Sequence, residues 1–299
     1  MEHYIDFVKQ VISTVLTMIF LPVSFLTAPA SGYETKKPEE VRTSFTVLSD
    51  IHIEGNNYAT FEKFTEILNE VHSAEQNNTL VFLGDNTMNG QGIESSFFFG
   101  ALRFARPAKN LVIAAGNHDY GNGNGDYEKY AKRFRRNANS VGCDIDENYY
   151  YKIIDGYYFI VLTSESDSVD GIDISDTQLE WLSGVLAQAG KEDKPIFIFS
   201  HHPVNYIENG SYDRLSSVID DYENVIFFSG HTHWPISSHS FSIVNGVKSV
   251  NLPKATEHYD EYGAGIGAVV EVYEDEVLVR FRDFDDSAWI EGYEYSFEF

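Results

Sequence analysis

Five short polar clusters stand in the chain, each directly behind an apolar run of strand length. They are Ser49-Asp50-Ile51-His52, Gly84-Asp85-Asn86, Gly116-Asn117-His118-Asp119, Ser200-His201-His202-Pro203 and Ser229-Gly230-His231-Thr232-His233. Six of the ten histidines fall in them, a concentration that chance placement would rarely produce. Carboxylate oxygen, amide oxygen and imidazole nitrogen together suit borderline divalent or trivalent ions such as Zn, Fe or Mn. In an extended Asp-x-His segment both side chains point to one side, so Asp50 and His52 are expected to bind one ion together. His231 and His233 share that spacing and could reach one ion each. Two ions need a shared ligand, and a carboxylate has two oxygens with which to bridge them. Asp85 is the natural candidate.

Such clusters need elements that bring five strand ends to one place. Strands of an α/β sheet present their carboxyl ends on one edge, where ligands bind. The apolar runs predict strands at 45–48, 80–83, 111–115, 195–200 and 224–229. Helical spacing and composition predict helices at 58–72, 92–105, 126–136, 176–189 and 211–220. The pair 149–154 and 157–163 reads as a hairpin turning at Asp155-Gly156. Beyond residue 240 the pattern changes to strands without clear helices, at 241–244, 247–252, 266–273 and 277–281. Together these predict one α/β domain on two sheets over 44–299, preceded by a polar linker at 31–43.

Composition narrows the partners. With 46 acidic against 21 basic side chains and a net charge of −25, the surface repels nucleic-acid backbones and anionic membranes. A nucleic-acid duplex is therefore not an expected partner. A small phosphate-bearing substrate stays open, because bound metal ions reverse the local field. The single cysteine, Cys143, excludes an intramolecular disulfide and a cysteine-based metal site. Residues 10–32 carry no charge, and Ala28-Pro29-Ala30 resembles a small-x-small cleavage site. Residues 1–30 thus read as an export signal or, uncleaved, an N-terminal membrane anchor, and predict an exported chain.

In their order the clusters resemble the calcineurin-like metallophosphoesterase superfamily. Its pattern here reads Asp50-x-His52, Gly84-Asp85, Gly116-Asn117-His118-Asp119, His201-His202-Pro203 and Gly230-His231-x-His233. The resemblance implies an α/β fold, a four-layer α-β-β-α sandwich of two mixed sheets flanked by helices, with a dinuclear metal site at the strand ends. By it, Asp50, His52 and His233 bind a first metal, Asn117, His201 and His231 a second, and Asp85 bridges. His118 is expected near the leaving group as proton donor or charge stabiliser, with Asp119 orienting it. His202 does not fit the ligand set and is expected to contact substrate, as is Trp234 beside His233.

The implied activity is hydrolysis of a small phosphomono- or phosphodiester with two Mn, Fe or Zn ions. Met88 stands where purple acid phosphatases carry a tyrosine ligand. Met88 and Asn89 stand where phosphoprotein phosphatases carry Asp-Arg, which argues against both branches. The alternative is a noncatalytic scaffold on the same fold; against it, every ligand position and His118 are present.

Overall fold

A computed structural model of the chain describes residues 32–206, 211–244, 246–256 and 265–299. The expected export segment at 1–30 lies outside the described residues. Twelve strands form two six-stranded sheets. In the first, β1 (Thr43–Leu48), β2 (Asn77–Phe82) and β3 (Asn110–Ile113) run parallel, and β10 (Ile266–Val272), β11 (Glu276–Asp283) and β12 (Ala288–Glu298) continue from β1 antiparallel. The second has the order β4 (Tyr150–Ile154), β5 (Tyr157–Val161), β6 (Ile196–Phe199), β7 (Val225–Ser229), β9 (Val247–Asn251), β8 (Phe241–Val244). Its four middle strands are parallel, with antiparallel strands on the edges. Both sheets are mixed, as expected.

Period-two alternation assigns each strand two apolar faces. In β6, Phe197 and Phe199 point into the layer between the sheets, while Ile196 and Ile198 point outward. The outer face is covered by α4 (Asp176–Ala189) and α5 (Ser211–Ile219) through Leu179, Leu182, Leu186, Leu215 and Ile219. The first sheet is covered by α1 (Tyr58–Ser73), α2 (Gly92–Ala105) and α3 (Tyr127–Asn139). Between the sheets the rings of Phe159 and Phe197 each lie 4.9 Å from that of Phe45. This aromatic layer fixes the distance between sheets, so the carboxyl ends of β1, β2, β3, β6 and β7 meet across one gap.

Two sequence expectations change here. β12 was not predicted. It is an edge strand of eleven residues, mostly exposed, and it carries a register shift opposite Arg280 and Arg282. Within the stretch expected to be a linker, Tyr33 is buried, and Lys36 donates its backbone N–H to Glu271 at 2.7 Å. Among the described residues no helix is long and apolar enough to cross a membrane.

Candidate metal centre

The five strand tips interlock through backbone bonds before any side chain is considered. Asp50 donates its N–H to the Gly84 carbonyl at 3.1 Å, His52 to Asp85 at 2.8 Å, and Gly230 to His201 at 2.9 Å. Glycine is required where the tips touch. A Cβ on Gly230 would fall within 2.5 Å of Asp50 Oδ2, and one on Gly84, at φ +119°, within 2.9 Å of both Gly116 N and His201 Cβ.

Asp50, His52, Asp85, His231 and His233 all have φ between +49° and +69°. Non-glycine residues adopt this left-handed region at a cost and concentrate there at functional sites. The Asp50-x-His52 pair therefore does not converge by extended alternation, as its spacing suggested. Left-handed backbone at Asp50 and at His52, on either side of Ile51, brings the side chains together.

The side chains converge in two groups. In the first, His233 Nε2 lies 3.0 Å from Asp50 Oδ1 and 3.1 Å from His52 Nε2, with His52 Nε2 3.7 Å from that carboxylate oxygen. In the second, His201 Nε2 lies 3.1 Å from Asp85 Oδ2 and 3.3 Å from His231 Nδ1. Asp85 Oδ2 joins the groups, since His52 Nε2 and His118 Nε2 each stand 3.9 Å from it. Its other oxygen accepts the His118 N–H at 2.9 Å.

Asn117 stands just past the end of β3. Its Nδ2 donates to Asn122 Oδ1 at 3.1 Å, while its Oδ1 is buried with no hydrogen-bond partner among the described residues. A buried acceptor left unsatisfied costs roughly 1–3 kcal/mol, so an amide oxygen held this way fits a cation. The triads Asp50–His52–His233, His52–Asp85–His118 and Asp85–His201–His231 each keep their ligand atoms within 4.8 Å of one another.

Charge accounts for the titration of this cluster. Burial would push Asp50 up, but hydrogen bonds from His233 and His52 and the charge of His201 hold it well below the usual carboxylate range. Asp85 behaves alike: burial opposes ionisation, and His201 and His52 overcome it. His201 shows the reverse balance. Burial would lower it, yet Asp85 raises it to about 9. Burial and the charge of His201 then push His231 down to about 4 and His202 to about 3. Two buried carboxylates thus hold positive charge among them, the condition under which a bound cation replaces a proton.

Two predicted residues, Asp119 and His202, sit differently from expectation. Asp119 does not orient His118. Its Oδ2 accepts from Gly116 N, Asn86 N and Asn86 Nδ2, and its Oδ1 from Thr87 N and Thr87 Oγ1, at 2.8–3.1 Å. His118 is oriented instead by donating Nδ1–H to the Met88 carbonyl at 2.6 Å. Asp119 reaches it only through the 86–88 turn. His202 is 2 % exposed, donates to the Val169 carbonyl at 3.4 Å, and lies with its ring 4.3 Å from that of His231. Trp234 is 53 % exposed at the rim. Asn86, Thr87 and Asn122 were missed as supporting residues. Only Asn122 carried a signal, as an Asn between glycines, a pattern that favours the left-handed turn it adopts at φ 53°.

Two sheets whose parallel strand ends converge on histidines, carboxylates and an amide define a protein with a candidate metal centre between its sheets. The chain belongs to the calcineurin-like phosphoesterase family, whose model matches residues 43–235. Among solved structures it is similar to a dimetal phosphatase from Danio rerio, at 17% identity and TM-score 0.61, over 87% of this chain and 99% of that one. It also resembles a zinc-bound Vps29 from Entamoeba histolytica at 13% identity and TM-score 0.42, over 86% of this chain and 99% of that one. No curated protein matches the sequence.

Proposed function

We propose that the chain is a phosphoester hydrolase with a dinuclear metal centre, acting on small phosphomono- or phosphodiesters. The observation that carries this reading is the placement of Asp85 Oδ2, 3.1 Å from His201 Nε2 and 3.9 Å from His52 Nε2, between two groups of ligands. Asp50, His52 and His233 would hold one ion, Asn117, His201 and His231 the other, and Asp85 would be shared. The donor set suits Mn, Fe or Zn. Bound ions polarise the phosphoryl group and lower the pKa of water towards about 7.

The chain's own residues supply position and a proton. Because Nδ1–H of His118 is committed to the Met88 carbonyl, Nε2 is the nitrogen that exchanges a proton. That atom faces the cluster at 3.9 Å from Asp85 Oδ2, on a side chain that is 22% exposed. From there it donates to the departing oxygen, a step worth about 10²–10⁴ in rate. His202 packs behind His231 and supports it, while Trp234 is free to meet the organic part of the ester from the rim. The proposal includes export of the chain, supported by the uncharged run 10–32.

The test is hydrolysis of p-nitrophenyl phosphate and bis(p-nitrophenyl) phosphate with added Mn²⁺ or Zn²⁺. Turnover of at least one ester is expected, and the ratio of the two rates separates monoesterase from diesterase. Turnover of neither would leave the noncatalytic scaffold as the better reading.

A further inference from the structure

Opposite the metal centre, at the amino ends of β2 and β3, lies an open groove of about 670 Å³. Arg103, Arg106, Lys109, Lys152 and His72 line it together with Asn77. No carboxylate lines it, in a chain with 46 acidic side chains. Arg103 donates to Ser140 Oγ at 2.7 Å and Lys152 to the Leu111 carbonyl at 3.0 Å, so both are held by neutral acceptors. Arg106 and Lys109 are exposed and make no ion pair among the described residues. A second basic groove, lined by Lys129, Lys132, Arg133, Arg135 and Arg136, includes the carboxylate of Asp146; the groove at the amino ends of β2 and β3 has none.

The groove also lies where the described chain begins. Gly32 packs its backbone against the Ser73 carbonyl, where no Cβ would fit. Glu75 donates its N–H to the Tyr33 carbonyl at 3.0 Å. Residues 72 and 77, on either side of these contacts, line the groove. The run ending at residue 32 has no charge from residue 10 onward, and about 20 such residues suffice to span a bilayer.

We propose that this groove is a docking surface for the anionic headgroups of the bilayer in which the N-terminal run is inserted. A basic face immediately beside a membrane-inserted segment is attracted to anionic lipid. At about 3.3 Å per residue, β2 separates the groove from the metal centre by roughly 20 Å, so docking turns the metal centre away from the bilayer and towards solutes.

The experiment is flotation of the full chain, residues 1–31 retained, with vesicles of phosphatidylcholine alone or of phosphatidylcholine containing phosphatidylglycerol. The expected result is binding to both, with tighter binding to the anionic vesicles that high salt removes. Each basic side chain near an anionic surface raises partitioning about fivefold, so Arg106→Gln with Lys109→Gln should cut the anionic preference by on the order of twentyfold. Binding of this variant to neutral vesicles should equal wild type, and an unchanged melting temperature checks that its domain is folded. Failure to bind neutral vesicles, equal binding to both compositions, or a preference that survives the double substitution would each overturn the proposal. So would a preference that inorganic phosphate abolishes at unchanged ionic strength, since that marks a site for a free anion.

Discussion

At the scale of single residues, the Gly116–Asp119 cluster divides into separate tasks. Asn117 offers an amide oxygen with its orientation set by Asn122, His118 offers Nε2, and Asp119 faces away from both. His118→Ala should therefore retain bound metal while turnover falls by about 10²–10⁴. Asp119→Ala should act on stability. It strips acceptors from Gly116, Asn86 and Thr87 in a buried turn, at a cost of at least about 3 kcal/mol. Metal analysis, kinetics and thermal unfolding of the two variants separate these outcomes. If His118→Ala loses its metal, the placement of its ring outside the ligand set is wrong.

At the scale of elements, the tips work because glycine lets strands from both sheets touch. Gly230→Ala would drive a methyl group into Ser49 and Asp50, so it should lower both the melting temperature and the metal affinity of the chain. Retention of full metal affinity in that variant would show that the tips can part without consequence. These tips were legible in the sequence because each apolar run stops abruptly at Gly or Ser and then places Asp, Asn or His. β12 was not legible. Its edge position leaves glutamates and aromatics alternating in a strand with little buried face, so it lacks the apolar run that marked the others. The direction of the Asp119 carboxylate was not legible either, since spacing along a turn does not say which donors surround a side chain. Nor could Asp50 and His52 be read as left-handed, because an Asp-x-His pattern is compatible with extended alternation.

At the scale of the whole molecule, the metal centre sits in a field that its own carboxylates create. His201 is raised from 6.5 to about 9 in the chain without metal, with Asp85 as the cause that overcomes burial. A raised folded-state value contributes stability that is complete below about 6.5 and is lost as pH rises through about 9. The melting temperature of the chelator-treated protein should therefore fall between those two values, and the metal-loaded protein should not show that fall, because the cation takes the place of the proton. Thermal scans of both forms across the window test this. A fall of equal size in the loaded protein would contradict it. The groove of Arg106 and Lys109 lies at the far end of the same sheet, so its substitution should leave this pH profile unchanged.

The proposed hydrolytic centre depends on one carboxylate, Asp85, joining two groups of candidate metal ligands. Metal content and ester hydrolysis measured together on wild type and Asp85→Asn test it most directly. Two ions per wild-type chain, fewer in the variant, and loss of turnover in proportion or beyond are the expected results. Two tightly held ions with full activity in Asp85→Asn would contradict it.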